Sequence, residues 1–498
     1  MKIYKQKWIL LLLLPVLAGQ VGCKKFLDRK PLGGAIEGDV AQGAVEEQVF
    51  GLYAGTRNWG MTQLPYLMVH SARSDDADKG STATDGADSE SFYDDFSYTK
   101  DHWLMTAYWD DHYGFISLAN NVIHAVDSLG LTDQPSIVNK AEATFMRAYA
   151  YFDLVRSFGE VPKIDFKIFQ PADGNKPKSS VAEIYALIDA DLNFAAANLP
   201  VSWSSQFIGR VTKGTATSLQ AKTYLYRQNW ATALAKCEEV INSAQYELVT
   251  PYSKIFTEAG ENGKESIFEV QNYSSANGSQ VYSNSFVNYQ GVRGSGDWDL
   301  GWGWNTPNPV LVNSYESGDP RKDATILYSG QTDQYGQLVP ASPPLARLYW
   351  NKKVHTDPVR RAATGDRFGA WLNMILLRYA DVLLMASESA NELGGGPNTT
   401  KALGYLEQVR ARARAGNNSI LAPVTTTDQA LLRDAIRRER RAEFAMEYER
   451  FFDLVRWGIA GTTFGAMGKN FEPRDKYMPL PQAAIDKSGN VLIQNPDY

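Results

Sequence analysis

The sequence predicts a mainly α-helical fold in which a helical scaffold is interrupted by a large irregular, partly β insertion. Three observations predict it. Apolar residues recur at helical spacing up to about residue 249 and again after about residue 370. Between these limits Gly, Asn, Ser, Pro and aromatic residues dominate, with short strand-like pieces such as ESIFEVQNY. The composition, 44% hydrophobic and 21% charged over 498 residues, suffices for a large core.

The first residues have the layout of a secretory signal peptide. Three lysines precede an apolar run that is shorter than the ~20 residues of a membrane-spanning helix. Gly22 directly before Cys23 resembles a bacterial lipobox, which implies that residues 1–22 are removed, that Cys23 is lipidated and that 23–40 form a tether. An ordinary secreted protein with an unpaired thiol is the alternative. Cys237, the other cysteine, lies in a helical pattern and is expected to be buried, so no disulfide framework is expected.

Helical periodicity begins at about residue 104. Residues 141–158 carry one continuous apolar stripe, which Gly159 ends. Further helices are predicted at about 180–198 and 213–228, and then in WATALAKCEEVI. Helices joined by short turns, with alternating small and large residues, resemble tetratricopeptide repeats.

Helical patterns resume after the insertion, in MILLRYADVLLMASESANEL and YLEQVRARAR, and one last long helix is predicted from about 428 to 457. The predicted regions are a helical region at 41–249 with an acidic loop at 70–102, a loop-rich ligand-binding insertion at 250–370, and a helical region with a closing tail at 371–498.

Charge and motif content exclude several classes of function. The net charge of −6 argues against general nucleic-acid binding, which needs a clustered positive surface. The five histidines show no metal-binding spacing, and neither a phosphate-binding glycine loop nor a Gly-x-Ser-x-Gly elbow occurs. The Arg/Glu-rich stretch 437–450 contains many pairs three or four apart, which predict a charged helix surface and not a catalytic pair.

Five segments, in order along the chain, resemble one bacterial family. They are CKKFLDRKP at 23–31, FMRAYAYFDLVRSFGEVP at 145–162, ILLRYADVLLMASESANE at 375–392, IRRERRAEFAMEYERFFDLVRWG at 436–458 and YMPLPQAAIDKSGNVLIQNPDY at 477–498. The family is SusD/RagB, outer-membrane nutrient-binding lipoproteins. The resemblance implies tetratricopeptide-like helix pairs packed against an irregular ligand-binding region. It also implies a lipid-anchored cell-surface protein that passes oligosaccharide to a SusC-like TonB-dependent transporter and has no enzymatic activity. Lys24 and Lys25 leave retention on the inner leaflet as an alternative.

The segment GDWDLGWGW, at 296–304, is the first candidate site. A glycan site needs flat aromatic faces for the C–H surfaces of a sugar and polar groups for its hydroxyls, and this segment has both. The candidate ligand-binding residues are Trp298, Trp302 and Trp304, with Asp297, Asp299, Asn305 and Arg293 beside them. The alternative is an aromatic plug packed against the scaffold.

The acidic loop HSARSDDADKGS is the second candidate, since the family resemblance implies that this loop and the next helix line the ligand site. Its residues are Arg73, Asp75 and Asp76, together with Trp103. A solvated loop without ligand is the alternative. No cofactor is expected, but Asp76 and Asp78 are weak candidates for a structural Ca²⁺, which prefers oxygen ligands.

Three functions therefore follow from the sequence. The favoured one is a non-enzymatic oligosaccharide-binding lipoprotein of the outer membrane. The second is a glycoside hydrolase that uses Asp297 and Asp299 as acid and base. The third is a structural partner of the transporter that binds protein or a non-glycan nutrient.

Overall fold

The structure, a computed structural model, describes residues 44–498. Nine helices of twelve or more residues form the scaffold in this range. They are α1 (Ala44–Gly55), α2 (Trp103–Ser128), α3 (Gln134–Phe158), α4 (Val181–Asn198), α5 (Lys213–Tyr226), α6 (Trp230–Asn242), α7 (Tyr379–Leu393), α8 (Gly396–Arg414) and α9 (Gln429–Phe444). The predicted mainly α fold is confirmed, and helices occur near their predicted positions with two exceptions. Met374–Arg378, predicted to be helical, form a strand, and the last predicted helix is broken. The predicted signal peptide at 1–22, the lipidated Cys23 and the tether at 23–40 lie outside the described residues.

Successive helices pack as pairs around one large apolar core. Helix α2 packs on α3, α3 on α4, α5 on α6, and α7 on both α6 and α8. The fully buried Ala216, Ala221 and Ala233 allow this close approach because they add little volume between helix axes. Cys237 is buried in α6, as predicted.

Local sequence signals set the helix ends. Ser180 and Glu183 form a reciprocal capping box at the start of α4. Gly159 ends α3 with a φ of 75°, and a Cβ at this position would lie 3.0 Å from the ring of Tyr477. The glycine therefore permits both the left-handed turn and the packing of the C-terminal segment on α3.

The β structure consists of short antiparallel pairs. In the described range the strands are β1 (Ala77–Gly80), β2 (Val161–Pro162), β3 (Lys178–Ser179), β4 (Ser266–Val270), β5 (Tyr273–Ser274), β6 (Val281–Tyr282), β7 (Trp304–Pro307), β8 (Ile326–Tyr328), β9 (Tyr349–Asn351) and β10 (Met374–Arg378). They pair as β1–β7, β2–β3, β4–β10, β5–β6 and β8–β9. The insertion is thus partly β, as predicted, and β1 brings part of the acidic segment into regular structure.

Short helical segments complete the chain. The α-helical ones are Trp59–Thr62, Leu64–Leu67, Ala87–Ser89, Phe286–Gln290, Pro309–Val312, Pro320–Thr325, Pro358–Thr364, Arg450–Arg456, Ala460–Ala466 and Gln482–Lys487. Met68–Ala72 and Glu90–Asp94 are π-helical turns, and 3₁₀ turns occur at Pro171–Gly174, Ser205–Phe207, Tyr252–Phe256, Glu258–Gly260, Gly296–Trp298, Lys352–Val354 and Pro473–Lys476. The loop predicted over 70–102 therefore contains a strand and π-helical turns.

The single helix predicted at 428–457 is wrong. Helix α9 ends at Phe444, and a separate short helix begins at Arg450. Between them Met446 and Tyr448 have φ values of 65° and 70°. The Tyr448 ring packs edge-on against Tyr66, which gives the break a packing reason that the apolar spacing of the sequence does not contain.

The charges of α9 form a buried ion network, so the predicted surface pairs within the helix are wrong. Glu443 is fully buried and accepts hydrogen bonds from Arg378 at 2.5 Å, from Arg412 and from Arg321 at 3.1 Å. Burial alone would raise the pKa of Glu443, but the three guanidinium groups hold it well below its usual range. Because each partner comes from a different segment, the network fixes the insertion and α8 to α9.

Candidate functional site

The two candidate segments, predicted separately, lie side by side. Strand β1 of the acidic segment pairs antiparallel with β7, and Gly80 lies opposite Trp304. The pairing continues beyond the strands, since the amide of Ser81 donates to the carbonyl of Gly303. The two segments are therefore direct neighbours in the fold.

The glycines of GDWDLGWGW allow the backbone to approach its neighbours closely. A Cβ on Gly301 would lie 2.2 Å from the Asn288 carbonyl oxygen, and one on Gly303 would lie 2.8 Å from the Trp350 ring. Gly303 also has a φ of 67°. The amide of Trp302, between them, donates to the Asn288 carbonyl at 2.9 Å. The absence of a Cβ at Gly301 and Gly303 thus lets the backbone on both sides of Trp302 pack closely against its neighbours, while the Trp302 side chain remains exposed.

The three tryptophans have different surroundings. Trp302 is 49% exposed. Trp298 is half-buried and lies parallel to His355, with ring centroids 5.8 Å apart. Trp304 is buried with 5% exposure, and Asn305 is fully buried, where its side-chain amide donates to Gln290 at 2.8 Å. Trp304 is therefore packed inside the protein, as the alternative interpretation of an aromatic plug expects, with Asn305 buried beside it. The Trp302 indole lies at the surface.

Arg293 lies against the Trp302 ring, and acidic side chains lie close to both in the sequence. The Arg293 guanidinium lies 5.6 Å from the centre of the Trp302 ring, within the range of a cation–π contact. Arg293 itself forms an ion pair with Asp85 and donates to the Ser81 hydroxyl at 2.7 Å. Asp299 forms an ion pair with Arg367, whereas Asp297 is exposed.

The candidate residues of the acidic loop face the interior, which corrects the expectation that they contact ligand. Arg73 is fully buried over the ring of Phe451, at 3.9 Å. The Asp75 carboxylate accepts two hydrogen bonds from Arg450, and Asp76 accepts one from Arg441. These residues hold the start of β1 against the end of the scaffold, out of reach of a surface ligand.

No metal centre emerges from residues 44–498, where no group of three or more His, Cys, Asp or Glu side chains is placed to hold an ion. Asp76 is engaged by Arg441, and Asp78 lies 3.8 Å from Arg347. A structural Ca²⁺ at Asp76 and Asp78 stays a prediction of the sequence.

Trp103 and Trp302 belong to segments that are linked through two aromatic residues that the sequence interpretation missed, Trp59 and Tyr289. Trp103, at the start of α2, is 44% exposed and stacks on Trp59 with ring centroids 5.5 Å apart. The Trp59 indole donates to the Tyr289 hydroxyl at 3.2 Å, and Tyr289 follows Asn288, which binds the backbone of Trp302. Trp59, Trp103, Tyr289 and Trp302 are called the aromatic surface below.

Sequence signals for the two missed residues exist but are weak. Trp59 precedes Gly60, and a Cβ there would lie 2.2 Å from the Ala107 carbonyl oxygen of α2. This close approach places Trp59 beside Trp103, so a glycine directly after Trp59 is the sequence signal of the contact. Tyr289 has no comparable signal.

A separate cavity of about 680 Å³ lies between α3, α4, α5 and the short helix Arg450–Arg456. Its aromatic lining includes Tyr185, Tyr226 and Tyr477. The charged side chains that line it are paired: Arg227 binds Asp189 through two hydrogen bonds of 2.7 Å, and Arg156 and Arg456 form ion pairs with carboxylates. These pairings neutralise the charges of the lining.

Two family models match this chain. One, described as the SusD family, covers residues 264–498, and the other, described as starch-binding and associating with the outer membrane, covers residues 41–225. A curated relative, SusD-like protein P2 of Formosa agariphila, is 30% identical over the full length of both chains. The chain belongs to the SusD family.

Other relatives of this SusD-family chain are similar in sequence or in fold. A solved structure described as a laminarin-binding SusD-like protein superposes with a TM-score of 0.76 and 27% identity, over 91% of this chain and 99% of that one. The starch-binding protein SusD of Bacteroides thetaiotaomicron is 26% identical over 74% of each chain. The helical scaffold with an irregular insertion is thus the fold of the family. Among residues 44–498 no helix is long and apolar enough to cross a bilayer.

Proposed function

We propose that this SusD-family chain binds an oligosaccharide on its aromatic surface and releases it chemically unchanged. The observation that carries the proposal is the exposure of both Trp103 and Trp302. Their segments are linked by the Trp59–Trp103 stack, by the Trp59–Tyr289 hydrogen bond and by the hydrogen bond from the Trp302 amide to the Asn288 carbonyl. Indole rings offer flat apolar faces to the C–H faces of sugars, and the neighbouring Arg293, Asp297 and Asp299 can exchange hydrogen bonds with hydroxyl groups.

The arrangement suits a ligand that is longer than one sugar ring. Arg293 lies over one face of the Trp302 indole, which leaves the opposite face for stacking. Trp59 likewise covers one face of Trp103. Two supported aromatic faces need little reorganisation on binding, so little of the binding free energy is lost in ordering them.

The relatives support the ligand class and the location. One solved relative is described as laminarin-binding, another relative as starch-binding, and one family model as associating with the outer membrane. We propose that Cys23 carries the lipid that anchors this chain to the outer membrane, facing the cell surface. The proposed partner is a SusC-like TonB-dependent transporter that receives the bound oligosaccharide.

Catalysis does not fit the two aspartates suggested by the sequence. A glycosidase needs a carboxyl group kept protonated by an apolar environment, opposite a second carboxylate. Asp299 is held by Arg367, and Asp297 is exposed to water. Both are therefore suited to hydrogen bonding at the edge of the site.

Calorimetry with the chain from residue 24 onward, after a screen of oligosaccharides, tests the proposal. Trp302→Ala and Trp103→Ala should each weaken binding by roughly tenfold or more, since loss of a stacked indole costs about 2 kcal/mol. Because both indoles are about half exposed, Tm should change by no more than about 2 °C. Phe169→Ala is the matched control, since Phe169 is 69% exposed and lies outside the aromatic surface.

Three outcomes would contradict the proposal. Equal affinities for the tryptophan variants and the wild type would exclude the aromatic surface as the site. Release of reducing ends from the oligosaccharides would favour the hydrolase. Co-purification with a transporter barrel, together with no binding across the oligosaccharide screen, would favour a structural or non-glycan role.

A further inference from the structure

Within residues 44–498, the basic side chains that form ion pairs with two segments near Trp302 are neutralised by carboxylates of these segments. They belong to the segments 78–90 and 293–299 or reach into them from elsewhere. The ion pairs are Arg293 with Asp85, Arg367 with Asp299, Arg347 with Asp78 at 3.8 Å and Lys79 with Glu90 at 3.8 Å. An anionic ligand at Trp302 would therefore find each of these cations already engaged.

The same two segments carry two further carboxylates, Asp88 and Asp297, that no cation neutralises within the described part of the chain. Asp297 is exposed and belongs to none of the ion pairs formed among residues 44–498. Asp88 is 58% exposed in its side chain, and its neighbour is the Nε2 atom of His102 at 3.4 Å. Burial lowers the pKa of His102 to about 4, so the imidazole is neutral at neutral pH and leaves the charge of Asp88 uncompensated.

At the other end of the aromatic surface the charges are mixed. Lys100 and Asp101 are both exposed just before Trp103 and have opposite signs. Near Trp59, Arg57 donates to the carbonyl of Gln271, and the Asp111 carboxylate accepts from the amide of Gly60. The unpaired carboxylates thus lie in both parts of the aromatic surface, with Asp297 in the segment of Trp302 and Asp88 beside His102, the residue before Trp103.

We infer that the aromatic surface takes an uncharged oligosaccharide and rejects chains that carry uronate or sulfate groups. This inference rests on the proposed function. A carboxylate or sulfate on the ligand would meet cations that are already paired. It would also be repelled by Asp297 in the segment of Trp302 and by Asp88 beside the residue that precedes Trp103. Hydroxyl groups of a neutral sugar can accept from Arg293 and donate to the same carboxylates. The carboxylates of Asp88 and Asp297 therefore favour neutral oligosaccharides over anionic ones, because they repel only the anionic ones.

Matched ligands test the inference directly. The neutral probes are hexasaccharides of the laminari-, malto-, cello-, manno- and xylo- series, and the anionic probes are alginate and polygalacturonate oligosaccharides. For a neutral hexose chain that binds, its derivative oxidised at C6 has the same ring and linkages and differs only in carrying a carboxylate where the neutral unit carries a hydroxymethyl group. We expect the oxidised chain to bind about tenfold or more weakly at low salt, as two like charges several ångströms apart dictate.

Ionic strength and variants then identify the cause. Between about 20 mM and about 500 mM NaCl the penalty on the oxidised chain should shrink, while the affinity of the neutral chain stays constant within about twofold. Asp297→Asn should raise the ratio of the affinity for the oxidised chain to the affinity for the neutral chain about threefold or more, because asparagine removes the repulsive charge. Asp434→Asn is the control with the same change of net charge, since Asp434 is exposed on α9, away from the aromatic surface.

The outcomes separate the inference from the proposed function. A neutral chain that binds more tightly than its oxidised form, with rescue by Asp297→Asn, supports the inference. Equal or tighter binding of the oxidised chain, or binding of alginate or polygalacturonate oligosaccharides alone, overturns the inference but leaves glycan binding intact. Failure of every probe, neutral and anionic, overturns the proposed function and the inference with it.

Discussion

Replacement of Asp75 by Asn separates a structural role from a ligand-binding role. The Asp75 carboxylate is 2% exposed and accepts from Arg450 at 2.7 and 2.9 Å, and Arg441 lies 3.0 Å away. Asparagine keeps the shape but removes the charge, so Arg450 loses its carboxylate partner. Removal of one partner of a buried ion pair generally lowers the free energy of unfolding by about 3–5 kcal/mol. The second arginine, Arg441, still has Asp76 as a partner, so we expect a smaller decrease of about 2–4 kcal/mol.

Urea denaturation at neutral pH measures this change, with Asp434→Asn as the exposed control, expected within about 0.5 kcal/mol of wild type. Burial alone would raise the pKa of Asp75, but the hydrogen bonds and charge of Arg450, with the charge of Arg441, hold it below its usual value. The stabilisation is therefore present above the unfolded-state pKa of about 3.9 and is lost as pH falls below it. The gap between wild type and Asp75→Asn should close in acid.

The affinity of Asp75→Asn for oligosaccharide decides between the two roles. Under conditions where the variant is folded, we expect its affinity to stay within about threefold of wild type. Unchanged stability together with a tenfold or greater loss of affinity would refute this reasoning and restore Asp75 as a ligand contact.

Three further variants test other parts of the structure. Glu443→Gln should lower the free energy of unfolding by about 3–5 kcal/mol, because three arginines lose the carboxylate that they share. The control Glu407→Gln, in a partly exposed pair with Arg414, should lower it by about 0–1 kcal/mol, and equal losses measured by urea denaturation would contradict the buried network. Burial raises the pKa of Asp94 to about 8, so the folded protein loses stability relative to the unfolded chain as pH rises from about 4 to about 8. Asp94→Asn should therefore raise Tm more at pH 8 than at pH 5, and an equal change in Tm at both pH values would contradict the raised pKa. Gly303→Ala should lower the free energy of unfolding by about 1–3 kcal/mol and weaken glycan binding, because the new Cβ would clash with the Trp350 ring. The control Gly296→Ala, also at positive φ but with no atom near the new Cβ, should bind glycan normally, and equal affinities of the two variants would contradict this explanation.

Most of the scaffold could be predicted because its signals are local. The apolar stripe at 141–158, the capping residue Ser180 and the stop at Gly159 each act within a few residues, and the structure has the corresponding helix ends. The break after Phe444 could not be predicted in this way. It depends on Tyr448 packing against Tyr66, far away in the chain, which no periodicity encodes.

The sequence could predict which segments carry exposed tryptophans, but not which of their side chains are exposed. The glycine-rich tryptophan segment and the start of α2 do contribute the exposed Trp302 and Trp103. Composition alone could not tell these indoles from Trp304, which β7 buries under the acidic segment. It also could not show that Asp75 and Asp76 face arginines from the end of the chain, because these partners are more than 360 residues away in sequence.

A crystal structure of the chain from residue 24 onward, with a bound oligosaccharide selected by the screen, tests the central claim most directly. The account predicts sugar rings stacked on the open faces of Trp302 and Trp103, with hydroxyl groups in hydrogen-bonding range of Arg293 or Asp297. Sugar bound instead in the cavity lined by Tyr185, Tyr226 and Tyr477, with the aromatic surface empty, would contradict it.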